Sequence, residues 1–477
     1  LGSAPKLQSS FGSLRESGAI VLVSCYELGQ QPLGLAGPDA HLRRAGFHPE
    51  LIDIGVDPLD EGLLSAARLV AISVPMHTAL RIGVAVAKRV RALNPSCHVA
   101  LFGLYAALNA THLLETVADS CFGGEFEPAL VDLAVALDSG REIRRAVPDT
   151  RGELASARKT RGLLPSRDRL PPLSRYARLV RDELAHVVGS VVTTRGCKHL
   201  CRHCPVVPVY NGRFYAIPFL SVMDDIRQVI HAGATHISFG DPDFLNGPGH
   251  ARRIAGALHE EFPDVTFDFT AKIEHLVRHR PLVRELQDRG CVFVVSAAES
   301  LSDRVLAALA KGHTPVDVRD TVRFFKTIGL ALRPTFVPFT PWETLDDLRS
   351  LLAFVDEEDL IDHVDPVQFT IRLLVPPGSV LATSEVMRPY LGGLDPENFT
   401  FEWHHPDERM DELQRRLASL VADSIQCGDD PAATFFRIVA EVDAATGRPD
   451  VPEAAPVDVR FPRARIRPPR LTETWFC

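Results

Sequence analysis

The chain has 477 residues, enough for two or three domains, and its 45% hydrophobic and 24% charged content is that of an ordinary globular protein. A net charge of −9 argues against nucleic acid or an anionic membrane surface as a partner. No apolar run reaches the ~18 residues that would suggest a membrane span, and nine cysteines over this length are too sparse for a disulfide framework.

No signal-peptide pattern precedes the first predicted strand, the first residue is Leu1, and the expected compartment is the reducing cytoplasm. Residues 18–25 (GAIVLVSC) read as a buried strand and 32–47 as a helix. Further strands are expected at 48–55, 67–75 and 98–106, with helices at 77–95 and 123–137. Strands alternating with helices at this length predict a Rossmann-like parallel sheet over residues 16–140. The turn after the first strand lacks G-x-G-x-x-G, so a dinucleotide site is not expected there. Residues 141–185, rich in Arg and Pro, read as a linker.

A second α/β region follows, over 186–380. Residues 186–194 (HVVGSVVTT) read as a buried strand ending in a polar turn. Directly after it stand Cys197, Cys201 and Cys204, at the spacing C-x3-C-x2-C. Three thiolates on one short loop can hold three irons of a [4Fe–4S] cluster, leaving the fourth iron open. Structural zinc, with His199 or His203 as fourth ligand, is one alternative. An iron–sulfur module that only relays electrons is another, of a non-enzyme class.

Strands are then expected at 235–241, 265–272, 291–300, 330–339 and 365–374, each separated from the next by helical periodicity, making a partial (β/α)6 barrel. Catalytic groups of such barrels gather at the C-terminal ends of the strands. That rule selects Asp241 and Asp243 after strand two, Lys272 after strand three, and Glu299 and Ser300 after strand four. It also selects Arg333 on strand five, and Gln368 and Arg372 on strand six. Taken singly, each has a plainer role as cap, turn or surface ion pair. Residues 381–477 form a helical region with an extended tail ending in Trp475, Phe476 and Cys477.

The cysteine loop resembles the signature of the radical S-adenosylmethionine (SAM) superfamily. The resemblance implies that SAM chelates the open iron and that an electron from the cluster cleaves one of its carbon–sulfur bonds. His203 stands where an aromatic residue of the family packs on the adenine. Asp241, Asp243, Lys272, Glu299, Ser300, Arg333, Gln368 and Arg372 become expected SAM contacts. An electron donor such as flavodoxin or ferredoxin is the expected partner. The N-terminal region resembles the cobalamin-binding domain that precedes many such barrels. It lacks the D-x-H-x-x-G loop, reading CYELGQQPLG instead, so cobalamin is allowed but not favoured.

The segments HLCRHCPVVPVYNGRF (199–214), FGDPDFLNGPGHA (239–251), KIEHL (272–276), KGHT (311–314), PTFVPFTPW (334–342) and RLLVPPGS (372–379) narrow the resemblance. They are similar to a radical SAM family with a C-terminal Cys/selenocysteine-Ala-Glu-Pro tail, a family that looks similar to the enzyme of arsinothricin biosynthesis. That likeness implies transfer of the 3-amino-3-carboxypropyl group of SAM to trivalent arsenic, with arsenite as substrate and Cys477 as a catalytic soft ligand. It leaves two readings of the end: a true terminus at Cys477, or a selenocysteine codon read as stop. The alternative activity is cobalamin-dependent methyl transfer to a natural-product intermediate.

Overall fold

The computed structural model describes residues 13–141, 162–447 and 467–473. They fall into two compact units, one within residues 1–27 and 32–170, the other within 28–31 and 171–477.

The first unit is a five-stranded parallel sheet. Its strands are β1 (Ile20–Ser24), β2 (Glu50–Asp53), β3 (Leu69–Ser73), β4 (His98–Phe102) and β5 (Ser120–Phe122), in the order β2-β1-β3-β4-β5. β1 and β3 are buried along their whole length, as strands covered by helices on both faces must be. Their apolar runs therefore show no alternation. Helices Leu33–Arg44, His77–Leu93 and Glu127–Asp138 stand where periodicity put them. The fourth strand is shorter than its apolar run suggests. It stops before Gly103, whose φ of 111° opens a helix at Leu104–Leu108. β5, only three residues long, gave no periodic signal.

The second unit holds a seven-stranded sheet. Five parallel strands carry it: β7 (Leu184–Val191), β10 (His236–Phe239), β11 (Thr266–Thr270), β12 (Cys291–Glu299) and β13 (Ala331–Phe336). Beside β7 lie two antiparallel strands, β6 (Arg178–Arg181) and then β16 (Arg470–Leu471). The stretch read as a linker thus contains a strand and the start of its hairpin partner. A short antiparallel hairpin, β8 (Thr194–Gly196) and β9 (Phe214–Ala216), brackets the cysteine loop.

The expected sixth strand is reduced to one parallel bridge, Phe339 to Arg372. Pro366 opens a 3-10 turn over Pro366–Thr370. Proline brings no N–H to a ladder and disfavours a central strand. The sheet is therefore a curled half barrel of five strands with a rudimentary sixth. The α/β fold expected from the sequence is otherwise the one observed.

One apolar core lies between this sheet and its helices, built from Ile237, Phe239, Phe267, Phe269, Val294 and their neighbours. The C-terminal helices Glu408–Cys427 and Pro431–Ala445 put Leu413, Leu417, Phe435 and Ile438 into that same core. They are part of the unit and not an appendage.

Gly196 closes the hairpin that delivers the first cysteine. Its φ is +77°, and a Cβ there would lie 2.6 Å from the Tyr210 ring and closer still to the Arg213 carbonyl. Gly196→Ala is expected to cost about 1–2 kcal/mol from the left-handed backbone alone, before any steric overlap. Denaturant unfolding measures the loss, and iron content after reconstitution shows whether the loop still forms. A variant with the wild-type midpoint would mean that the hairpin relaxes freely.

Candidate functional site

Cys197, Cys201 and Cys204 all lie on the loop between β8 and β9, with free thiols. They are close enough that Cys201 and Cys197 each oppose ionisation of Cys204, whose thiol burial first of all pushes up to about 12. The Cys197 thiol is raised as well, by burial and then by neighbouring charge.

Barrel strand ends hold this loop in place. Asp241, just past β10, is buried and accepts from Thr193 N at 2.9 Å, Thr193 Oγ1 at 2.8 Å and the Thr194 hydroxyl, the residues that lead into the hairpin. Asn246 Oδ1 accepts from Lys198 N at 3.3 Å and from the Cys197 thiol at 3.7 Å. His199 Nε2 faces Asp243 Oδ2 at 3.6 Å. His203 Nε2 lies 3.0 Å from Glu299 Oε1. Arg202 donates to the carbonyls of Ala307 and Ala308, at the end of helix Asp303–Ala308.

Glu299 is the most constrained of these. The register of β12 against β13 shifts between Ala297 and Glu299, and Glu299 adopts φ +66°. Bulges of this kind re-aim side chains next to functional sites. Glu299 turns to His203 and to Lys311 Nζ, 3.0 Å away, and both residues of the ion pair are buried. Burial alone would raise the Glu299 carboxyl; Lys311 and then His203 outweigh it and hold it far below the usual range. Lys311 follows Ala310, whose φ of 54° breaks the helical course and turns the chain inward. Its ammonium also sits in the field of Cys201 and Cys204.

The residues chosen by the strand-end rule do lie at or near strand ends, but most of their side chains are engaged with the protein itself. Asp243 accepts from Leu245 N and Lys272 N at 2.9 and 3.2 Å. Lys272 Nζ lies 3.4 Å from both His199 Nδ1 and Glu274. Ser300 donates to Glu343 and accepts from Ser302 N. Gln368 accepts from Phe336 N at 3.1 Å, completing β13. Arg333 pairs with Asp365 at 2.8 Å and keeps one buried guanidinium nitrogen without a partner among the described residues. Arg372 must be reassigned. It bonds Asp411 and the Trp403 carbonyl, both at 2.6 Å, and lies 3.6 Å over the Trp403 ring, anchored to the antiparallel hairpin of β14 (Leu391–Asp395) and β15 (Thr400–Trp403). Cys477 lies outside the described residues. Asn246, His275 and Lys311 were passed over, although each stands within or beside a quoted motif.

A cavity of about 250 Å³ opens at the ends of β10 and β11. Ser238, Asp241, Asp268 and Thr270 line it from the strands, and Leu471 and Glu473 from the tail. Thr472 fixes that tail by bonding Arg178 through its own N–H and hydroxyl.

Two expectations follow from the buried acids. Glu299→Gln strips Lys311 of its counter-charge, and breaking a buried pair in this way costs about 3–5 kcal/mol; thermal or urea unfolding checks it. Glu343 is pushed up to about 8, first by burial. It therefore contributes stability that is present below 4.5 and is lost as pH rises through about 8. Glu343→Gln should flatten the stability profile across that window, and an unchanged slope would show that the group titrates normally.

Residues 191–355 match the radical SAM superfamily. An uncharacterised methyltransferase of Pyrococcus horikoshii is 26% identical over 265 residues, 54% of this chain and 56% of its own length. A tRNA-2-methylthio-N(6)-dimethylallyladenosine synthase of Hydrogenovibrio crunogenus is 25% identical over 255 residues, 48% of each chain. The chain thus spans about half the length of these curated relatives. Among solved structures, the cobalamin-dependent SAM radical enzyme OxsB aligns with 85% of this chain and 67% of its own, at TM-score 0.61 and 15% identity. The radical SAM methyltransferase TsrM of Kitasatospora setae aligns with 72% of this chain and 70% of its own, at TM-score 0.52 and 17% identity. Those two likenesses are of fold. The match over 191–355 and the cysteine loop at the mouth of the half barrel agree: this chain carries a radical SAM domain.

Proposed function

We propose that the protein is a radical SAM enzyme transferring a one-carbon or larger group from SAM to a small molecule. The observation that carries this is the convergence of Cys197, Cys201 and Cys204 on one loop pinned to the ends of β10, β11 and β12. The residues fit a [4Fe–4S] cluster: three soft ligands on one loop and a buried ammonium, Lys311, to offset thiolate charge. When bound, the cluster supplies the electron that cleaves SAM. The chain's own part is to fix the loop, keep water from it and present the cavity at β10 and β11.

Methyl transfer assisted by cobalamin is the finer reading put first. The order of the first unit's sheet supports it, as does the fold shared with OxsB and TsrM. At the end of β1 the buried Ser24 Oγ has no partner among the described residues, so one polar contact is left for a bound group. No histidine occurs from Cys25 to Gly34, so a corrinoid would take no axial imidazole from that loop.

Transfer of the 3-amino-3-carboxypropyl group to trivalent arsenic is the second reading. It is favoured by the tail, whose Leu471 and Glu473 line the cavity.

One experiment separates them. The reconstituted chain is incubated anaerobically with SAM and reductant, with and without hydroxocobalamin or arsenite. Cobalamin-dependent S-adenosylhomocysteine or 5′-deoxyadenosine supports methyl transfer, and arsenite-dependent methylthioadenosine supports the second reading. The Cys197, Cys201, Cys204 triple Ala variant should form no nucleoside and hold none of the about four irons expected. Product from that variant would overturn both.

A further inference from the structure

His199, Asp243 and His275 come together from three elements: the cysteine loop, the turn after β10, and helix Ile273–Arg278 after β11. One ligating atom from each lies within 4.8 Å of the others. His275 and Asp243 are buried and His199 nearly so, with side chains 0%, 2% and 11% exposed.

Hydrogen bonding does not account for the cluster. His275 Nδ1 approaches Asp243 Oδ2 to 2.7 Å, yet among the described residues neither ring nitrogen of His275 makes a hydrogen bond of acceptable geometry. His199 Nε2, aimed at the same oxygen, is equally without one. Buried imidazole nitrogens left unsatisfied are costly. Two nitrogens crowding one carboxylate oxygen, with no N–H along either line, is the arrangement of ligands that share a cation.

We propose that His199, Asp243 and His275 form a second metal site, for a divalent zinc- or iron-like cation, separate from the three cysteines. Imidazole and carboxylate suit such ions, and three protein ligands leave at least one position open to water or a substrate oxygen. The surroundings fit. Glu274 Oε2 lies 3.7 Å from His199 Nδ1, a carboxylate whose charge favours a cation on the far side of that ring. Lys272 Nζ, 3.4 Å from His199 Nδ1, is a cation that opposes binding, and Glu274, also 3.4 Å from it, offsets it. The ion would also lock His199, between two of the cysteines, to the ends of β10 and β11.

The test uses Co²⁺, which accepts zinc's ligands and reports them by colour. The full chain is first loaded with its iron–sulfur cluster, so that the cysteines are occupied, and then titrated anaerobically. The expected result is uptake of about one Co²⁺ per chain, with weak visible bands and no sulfur-to-cobalt charge transfer. His275→Asn should take up none and keep its cluster iron. No uptake by wild type, uptake with thiolate charge transfer, or equal uptake by His275→Asn each overturns the site. Should the variant fail to fold, the wild-type titration and spectrum decide alone. Because SAM and turnover are absent from the assay, its outcome is independent of which bond of SAM is cleaved.

Discussion

The second unit depends on fixing a loop that has no regular structure of its own. Between Gly196 and Val206 the cysteine loop lies outside every helix and strand. Its geometry is set instead by side chains reaching out from the barrel. Asp241, Asp243 and Asn246 come from the end of β10, Glu299 comes from β12, and each meets a different point on the loop or its approach. Three ligands can serve one cluster only if their backbone is held still. Here the holding is done by buried polar contacts, which are directional in a way that apolar packing is not.

Buried charges are expensive, and the arrangement limits that expense by sharing. Glu299 serves His203 and Lys311 together, while Lys311 also faces the thiols. A carboxylate with two partners desolvates once and is satisfied twice. The strained backbone at Glu299 is consistent with this. A regular strand would have sent that side chain along the alternating course of β12, and the bulge sends it to the loop. Such networks give a unique arrangement more surely than they give net stability.

Much of this was legible in sequence, for reasons that differ by element. Buried parallel strands such as β1, β3 and β12 announce themselves as apolar runs, and the cysteines by spacing. β6, by contrast, sits in an Arg-rich stretch because it lies near the sheet edge with only β16 beyond it. The sixth strand misled because Val367, Phe369 and Ile371 alternate like a strand, although Pro366 makes the chain turn. Strand-end positions were found because topology places them. What their side chains do was not, because the approach of His275 to Asp243, or the hydrogen bond that Lys198 N donates to Asn246, joins residues that sequence spacing does not connect.

That last point changes how the mouth of the barrel is read. If Asp241, Ser300, Glu299 and Gln368 spend their polar capacity on the protein, they have little left for a ligand. Unspent hydrogen-bonding capacity then rests with other groups. Arg333 is one. It sits in the same cross-strand row as Val295 and Thr270, and Thr270 lines the cavity. One of its guanidinium nitrogens is buried and unpaired among the described residues. Asn246 is another, with its amide nitrogen buried and without a partner among the described residues while its carbonyl holds the loop. A donor left over on a residue that is otherwise fully engaged is a better mark of a binding surface than position at a strand end. The carboxylates hold the cysteine loop to the strand ends, and the spare donors keep their hydrogen-bonding capacity beside it.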